Sequence, residues 1–210
     1  MWDDDAANLE RARSELAGYG LSADTRLVDV ADAEQVQRTY AALRRELGAV
    51  AALFNMATLK NTYMLGEHED RAGGGVPFWQ LDLGRLRRAV EVNVLGTIFC
   101  SAAVAPDMVA AGGSIVNFST SPKTQRSPGH IPYGPSKALV EAFSWAAAEQ
   151  LAPHGVRINV ISSAGAVNRR KRSDPDRQPW DWMAELVAYL AGEESRGVSG
   201  QSFAGALQRR

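Results

Sequence analysis

Gly113-Ser114-Ile115-Val116-Asn117-Phe118-Ser119-Thr120, then Tyr133-Gly134-Pro135-Ser136-Lys137-Ala138, then Gly155-Val156-Arg157-Ile158-Asn159-Val160-Ile161, decide the fold of this chain. Ser114 to Phe118 reads as a strand led in by Gly112 and Gly113. Tyr133 to Leu151 carries apolar or small residues on nearly every side and is stopped by Pro153 and Gly155, so it reads as a buried helix. Val156 to Ile161 reads as the next strand. Strand, helix and strand in succession argue a parallel sheet covered by helices.

The alternation continues in both directions. Upstream, Ala6 to Leu16 reads as a helix with Leu9, Ala12 and Leu16 on one side, and Leu27 to Val30 as a short strand. Asp32 is placed to cap the following helix, with Gln35 as its reciprocal partner, and Val36, Tyr40, Leu43 and Leu47 form its apolar stripe before Gly48. Ala49 to Phe54 suits a strand buried on both faces. Glu67-His68-Glu69-Asp70-Arg71 and Gly73-Gly74-Gly75 mark a surface insertion. A helix is expected over Leu83 to Val94, continuing from Gly96 to Ala110 with a bend at Pro106. Downstream, Trp182 to Leu190 reads as a helix and Gly200 to Phe203 as a last strand. No repeat or linker divides the chain, so residues 1–210 are expected to form one domain.

Composition narrows the function. With 45% hydrophobic and 22% charged residues the chain has an ordinary globular make-up, and its formal net charge of -1 gives no pointer to nucleic acid or an anionic membrane. No apolar run reaches the ~18 residues of a membrane span, and the acidic start, Met1-Trp2-Asp3-Asp4-Asp5, is unlike a signal peptide. The lone Cys100 allows no intrachain disulfide, so the chain is expected in the reducing cytoplasm. His68, His130 and His154 lack metal-ligand spacing, and no metal is expected.

Chemistry enters with Tyr133 and Lys137. Four residues apart on a helix, they project from one face. A phenol titrates near pH ~10 and is a poor acid or base at neutrality, but a neighbouring ammonium favours its charged form. Such a pair alone is weak evidence, because many helices place a packed Tyr beside a solvated Lys.

Its surroundings change the reading. Asn55-Met56-Ala57 closes one strand, Val92-Asn93-Val94-Leu95-Gly96 lies in a later helix, and the three quoted stretches follow in order. Together they resemble the short-chain dehydrogenase/reductase family across essentially the whole chain. The resemblance implies a Rossmann-like, doubly wound α/β fold and a hydride transfer between NAD or NADP and a carbonyl/alcohol substrate. Tyr133 would be the general acid/base, with Lys137 lowering its pKa and holding the nicotinamide ribose, and Asn93 anchoring a proton-relay water. Thr120 stands where the family usually has the serine that holds the substrate oxygen, with Ser119 and Ser121 as lesser stand-ins. Asp29 would receive the adenine amino group, with Val30 beside the ring. Asn55, Met56 and Ala57 would line the cofactor, although Thr58 replaces a usual glycine. Gly165 and Val167 would contact the nicotinamide if one inserted residue is allowed. The basic run Arg169-Arg170-Lys171-Arg172 reads as a solvated loop or as a patch for an acidic substrate.

The family's first strand and glycine-rich turn have no counterpart here. The fold is therefore expected to be N-terminally incomplete by a βαβ unit of roughly 30 residues, with cofactor binding weakened or lost. Two adjacent strands would be missing from the order 3-2-1-4-5-6, leaving a gap of roughly 10 Å and an apolar open edge at Ala49 to Phe54. Two functions follow: an oxidoreductase of this type, or a catalytically impaired or regulatory subunit paired with an intact homologue. The helices after Gly96 and at Tyr133 are the expected faces for a homo-oligomer, or for a hetero-oligomer with a full-length homologue.

Overall fold

The computed structural model describes residues 1–59, 77–163 and 181–204. The expected insertion over 67–75, Gly165, Val167 and the basic run over 169–172 lie outside them. The described elements are β1 (Trp2–Asp3), α1 (Ala6–Gly18), β2 (Arg26–Leu27), α2 (Ala33–Leu47), β3 (Ala52–Asn55), α3 (Leu83–Val90), a π-helical turn (Glu91–Gly96), α4 (Thr97–Ala111), β4 (Gly113–Thr120), α5 (Tyr133–Leu151), β5 (Val156–Ser163), α6 (Asp181–Ala191) and β6 (Ser202–Ala204). The architecture is the expected Rossmann-like α/β fold with parallel strands.

The strands form two groups. β3, β4, β5 and β6 pair in that order, all parallel, while β1 pairs in parallel only with β2. The pairing Trp2↔Arg26 and Asp3↔Leu27 places a strand before α1, beside β2, where the sequence reading places none. The groups have not closed up. One hydrophobic layer spans them instead: Val28, Val36 and Tyr40 pack with Cys100, Val104, Met108, Ile115 and Ile158, with Trp2 and Leu53 against its flank. A second layer (Val116, Phe118, Ile161 and Leu190) lies on the other face under α6. β4 shows why the two layers separate: alternate side chains of a strand point to opposite faces, so Ile115 joins the first layer and Val116 and Phe118 the second.

Three local expectations are corrected. The strand expected over Leu27–Val30 pairs only through Leu27, with the Val28 N–H reaching the Asp3 carbonyl. Asp29 then turns the chain by accepting from the Ala31 N–H at 3.0 Å, an Asx turn. Asp32 does cap α2, accepting from the Gln35 N–H at 3.0 Å, but the Gln35 side chain accepts from the Asp29 N–H at 2.6 Å rather than completing a reciprocal box. Finally, β3 is not buried on both faces. It is the apolar open edge that the sequence also led us to expect: among the described residues no strand pairs with its outer side, and Phe54 is 38% exposed.

The two helices expected around Asn93 are one continuous run, Leu83–Ala111, of 29 residues. That run is long and apolar enough to cross a membrane, but Val92, Val94, Val104 and Met108 are buried in the domain, as in a core helix. Its π-helical turn approaches the turn after β2 so closely that a Cβ on Gly96 would lie 2.7 Å from Val30 Cγ2. Asp107 ties the run to α2, accepting from Tyr40 at 2.7 Å and Arg44 at 2.6 Å.

Candidate active site

The carboxyl ends of β3, β4 and β5, where ligands bind in open α/β sheets, carry the residues of interest. β4 runs two residues further than expected and delivers Thr120 at its tip. The first turn of α5 brings Tyr133 beside it, near enough for the Thr120 hydroxyl to influence the phenol. Gly134 permits this approach: a Cβ there would lie 2.5 Å from the Thr124 carbonyl oxygen and 3.0 Å from Gln125 Cα. Lys137, one turn further on, is 2% exposed, and its Nζ donates to the Phe118 carbonyl at 3.0 Å.

Ser119 and Ser121, the lesser stand-ins for Thr120, are used elsewhere. Ser119 Oγ donates to the Lys137 carbonyl at 3.0 Å, and Ser121 caps the short helical turn Pro122–Gln125. Gln125, which sequence reasoning overlooked, braces the strand tip by donating to Ser119 Oγ at 3.2 Å and to the Thr120 carbonyl at 3.1 Å. Ser162 Oγ adds a bond to the same carbonyl at 2.7 Å. Thr120 is therefore the hydroxyl presented to Tyr133, and its backbone is held from two sides.

The electrostatics differ from the simple expectation. Burial pushes the Tyr133 phenol above its usual range, and the Thr120 hydroxyl opposes that rise. The expected pull from the Lys137 ammonium is not among the causes. Burial lowers Lys137 itself from 10.5 to about 8, because the ammonium has lost its water and gained only the dipole of one carbonyl. Near neutral pH the site thus holds a protonated phenol and an ammonium that gives up its proton more readily than usual.

Asn93 is fully buried in the π-helical turn. Its side chain binds the backbone N–H and carbonyl of Leu59, at 2.7 and 3.0 Å, and donates to Ser136 Oγ at 3.0 Å. Thr58, which by sequence looked like a poor replacement for glycine, donates from Oγ1 to Asn93 Oδ1 at 3.1 Å. Asn55 points inward, donating to Ser101 Oγ at 3.1 Å and to Asn117 Oδ1 at 2.8 Å, whereas Met56 and Ala57 are exposed just past the end of β3. Asn55 thus offers its backbone rather than its amide to the cleft.

On the adenosine side the Asp29 carboxylate is already engaged. Oδ2 pairs with Arg88 at 2.9 Å, and the same guanidinium reaches Asp4 at 3.6 Å. A dinucleotide fits this site unevenly. Thr120, Tyr133 and Lys137 have the chemistry to hold a nicotinamide riboside, whereas the Asp29 carboxylate expected at the adenine is held by Arg88 and the Ala31 N–H, which leaves half-buried Val30 as the apolar surface there. A pyrophosphate needs free helix N-terminal amides, but Asp5, Asp32 and Asp82 fill the N-termini of α1, α2 and α3. Cys100 is buried in the first hydrophobic layer, and burial pushes its thiol up to about 12, which makes it a packing residue.

A parallel α/β sheet carrying a Thr, a Tyr and a buried Lys at its carboxyl end defines a class of dinucleotide-dependent oxidoreductase folds. Residues 1–176 match the short chain dehydrogenase family, and the chain belongs to it. It is similar to gluconate 5-dehydrogenase of Gluconobacter oxydans, 28% identical over 213 residues, a match covering 93% of this chain and 78% of that protein. It is also similar to 2-keto-3-deoxy-L-fuconate dehydrogenase of Xanthomonas campestris pv. campestris, 30% identical over 223 residues, covering 95% and 67% respectively. Among solved structures, NAD+-bound xylitol dehydrogenase superposes with a TM-score of 0.79 at 23% identity, covering 98% of this chain and 86% of the other. This last likeness concerns the fold. The chain is an oxidoreductase of the short-chain type, and none of these relatives favours the impaired or regulatory alternative.

Proposed function

We propose that the chain interconverts a carbonyl and an alcohol with NAD(H) or NADP(H), using Tyr133 as general acid/base, Lys137 and Thr120 as its partners and Asn93 as support. The observation that carries this reading is the convergence of Thr120, Tyr133 and the buried Lys137 at the tip of β4. When bound, the nicotinamide supplies or accepts the hydride. Thr120 orients the substrate oxygen by a hydrogen bond. Tyr133 donates the phenolic proton to the oxygen as negative charge develops there, and recovers it in the oxidative direction. Lys137, positively charged and poorly hydrated, stabilises the phenolate left behind, while Asn93 holds the first turn of α5 through Ser136. Met56, Ala57, Gly165 and Val167 line the cofactor on this reading, and the Asn55 backbone contributes beside them.

The two curated relatives are named for sugar acids, and this supports a polyhydroxylated carboxylic acid as substrate. The exposed Leu139 and Trp145 on α5 support a homo-oligomer built on that helix, and the single buried thiol supports a cytoplasmic location.

The test is a fluorescence titration of the purified chain with NADH and NADPH, followed by turnover of keto acids by the wild-type chain and by Tyr133→Phe. Cofactor binding at micromolar affinity, with turnover that falls at least about a thousandfold in Tyr133→Phe, supports the reading. No detectable binding of either dinucleotide refutes it.

A further inference from the structure

We propose that Thr58 is a positioning residue for the acid/base pair, acting on Tyr133 through Asn93 and Ser136. The proposal rests on the role given to Tyr133 above. A primary amide has two acceptor and two donor positions, and Asn93, fully buried, uses all four. Oδ1 accepts from the Leu59 N–H at 2.7 Å and the Thr58 hydroxyl at 3.1 Å. Nδ2 donates to the Leu59 carbonyl at 3.0 Å and to Ser136 Oγ at 3.0 Å. Ser136 accepts that proton and passes its own to the Tyr133 carbonyl at 2.8 Å. Hydroxyl, amide, hydroxyl and carbonyl thus form a directed line from the segment after β3 to the first turn of α5.

Of the four bonds on Asn93, two go to the backbone of Leu59 and survive any side-chain change there. The bond from Thr58 is the one that a side chain of this loop contributes. The Leu59 pair sets which edge of the amide faces the loop, because reversing the amide would set its NH2 against the Leu59 N–H and its oxygen against the Leu59 carbonyl. The Thr58 hydroxyl fills the remaining position on Oδ1 and so restrains the amide's tilt toward Ser136. The β-branched Thr58 has few χ1 positions, so its hydroxyl is held ready at little entropic cost. The Asn93 backbone is fixed separately, its carbonyl accepting from Thr97 Oγ1 at 3.0 Å. Thr58 therefore acts on the orientation of the side chain and, through Ser136, on the placing of Tyr133 against Thr120.

The experiment compares Thr58→Val, which keeps the volume and removes the hydroxyl, with Thr58→Ser, which keeps the hydroxyl. Thr58→Val is expected to lower kcat about five- to tenfold, the effect of one hydrogen bond that helps to place the acid, with the nicotinamide KM unchanged within about twofold and Thr58→Ser close to wild type. Thr58→Val combined with Ser136→Ala should be no slower than the slower single variant, because both break the same line. A readout free of turnover is the ultraviolet titration of the Tyr133 phenol, taken as the difference from Tyr133→Phe. Its midpoint should move by about half a pH unit or more in Thr58→Val and not in Thr58→Ser. Unchanged kcat and phenol midpoint in Thr58→Val, or losses that multiply with Ser136→Ala, would overturn the proposal. A wild-type chain that reduces no carbonyl would refute the acid/base role of Tyr133, and the phenol titration would then decide the place of Thr58 alone.

Discussion

Lys137 offers a test of how dry the site is. Its side chain is 2% exposed and, among the described residues, its polar partner is the Phe118 carbonyl at 3.0 Å, so burial lowers its ammonium from 10.5 to about 8. Because the folded value lies below the unfolded one, the charged form is disfavoured by folding. The resulting cost is complete below about pH 8 and is relieved as pH rises toward 10.5. At roughly 1.4 kcal/mol for each pH unit, the cost is about 3 kcal/mol at pH 7 and about 1.4 kcal/mol at pH 9.5. Lys137→Met fills the same space with an uncharged, non-titrating chain. Loss of the bond to Phe118 offsets part of the gain, so the informative quantity is the change with pH. Urea unfolding followed by tryptophan fluorescence should show the stability difference between variant and wild type shifting by about 2 kcal/mol, in favour of wild type, from pH 7 to 9.5. A difference constant within about 0.5 kcal/mol over that range would show that Lys137 is not a desolvated ammonium, and the electrostatic account of the site would fail.

Thr120→Val should lower kcat at least about tenfold while Thr120→Ser stays near wild type, as steady-state kinetics on a keto acid would show. Gly134→Ala must push a Cβ toward the backbone of the Pro122–Gln125 turn, so it should lower stability by about 2 kcal/mol and cut turnover, checked by urea unfolding and initial rates. Arg157→Met removes bonds from the guanidinium to the Leu190 carbonyl at 2.9 Å, Ser195 Oγ at 2.6 Å and the Gly192 carbonyl at 3.0 Å. The C-terminal end of α6 would lose its cap, and denaturant unfolding should show a loss of about 2–3 kcal/mol.

Periodicity and order carried most of the fold. The α5 boundaries, Tyr133 and Leu151, follow from an apolar stretch closed by Pro153 and Gly155, and the spacing of Tyr133 and Lys137 puts them on one face whatever surrounds them. These are properties of adjacent residues on one helix, and local sequence determines them. Three features depended on contacts distant in sequence. The length of β4 is set by pairing with β5 as far as Thr120↔Ser163, which moved Thr120 from loop to strand tip. The use of Thr58 is set by Asn93, a residue 35 positions away. The exposure of Phe54 is set by which strands pair with β3, since an apolar run reads alike at the edge and at the centre of a sheet. The sequence alone also pointed to the Lys137 ammonium as the main influence on the Tyr133 phenol, whereas burial, which raises it, comes first. Desolvation depends on everything packed around a group, and only the assembled fold shows that burial dominates both.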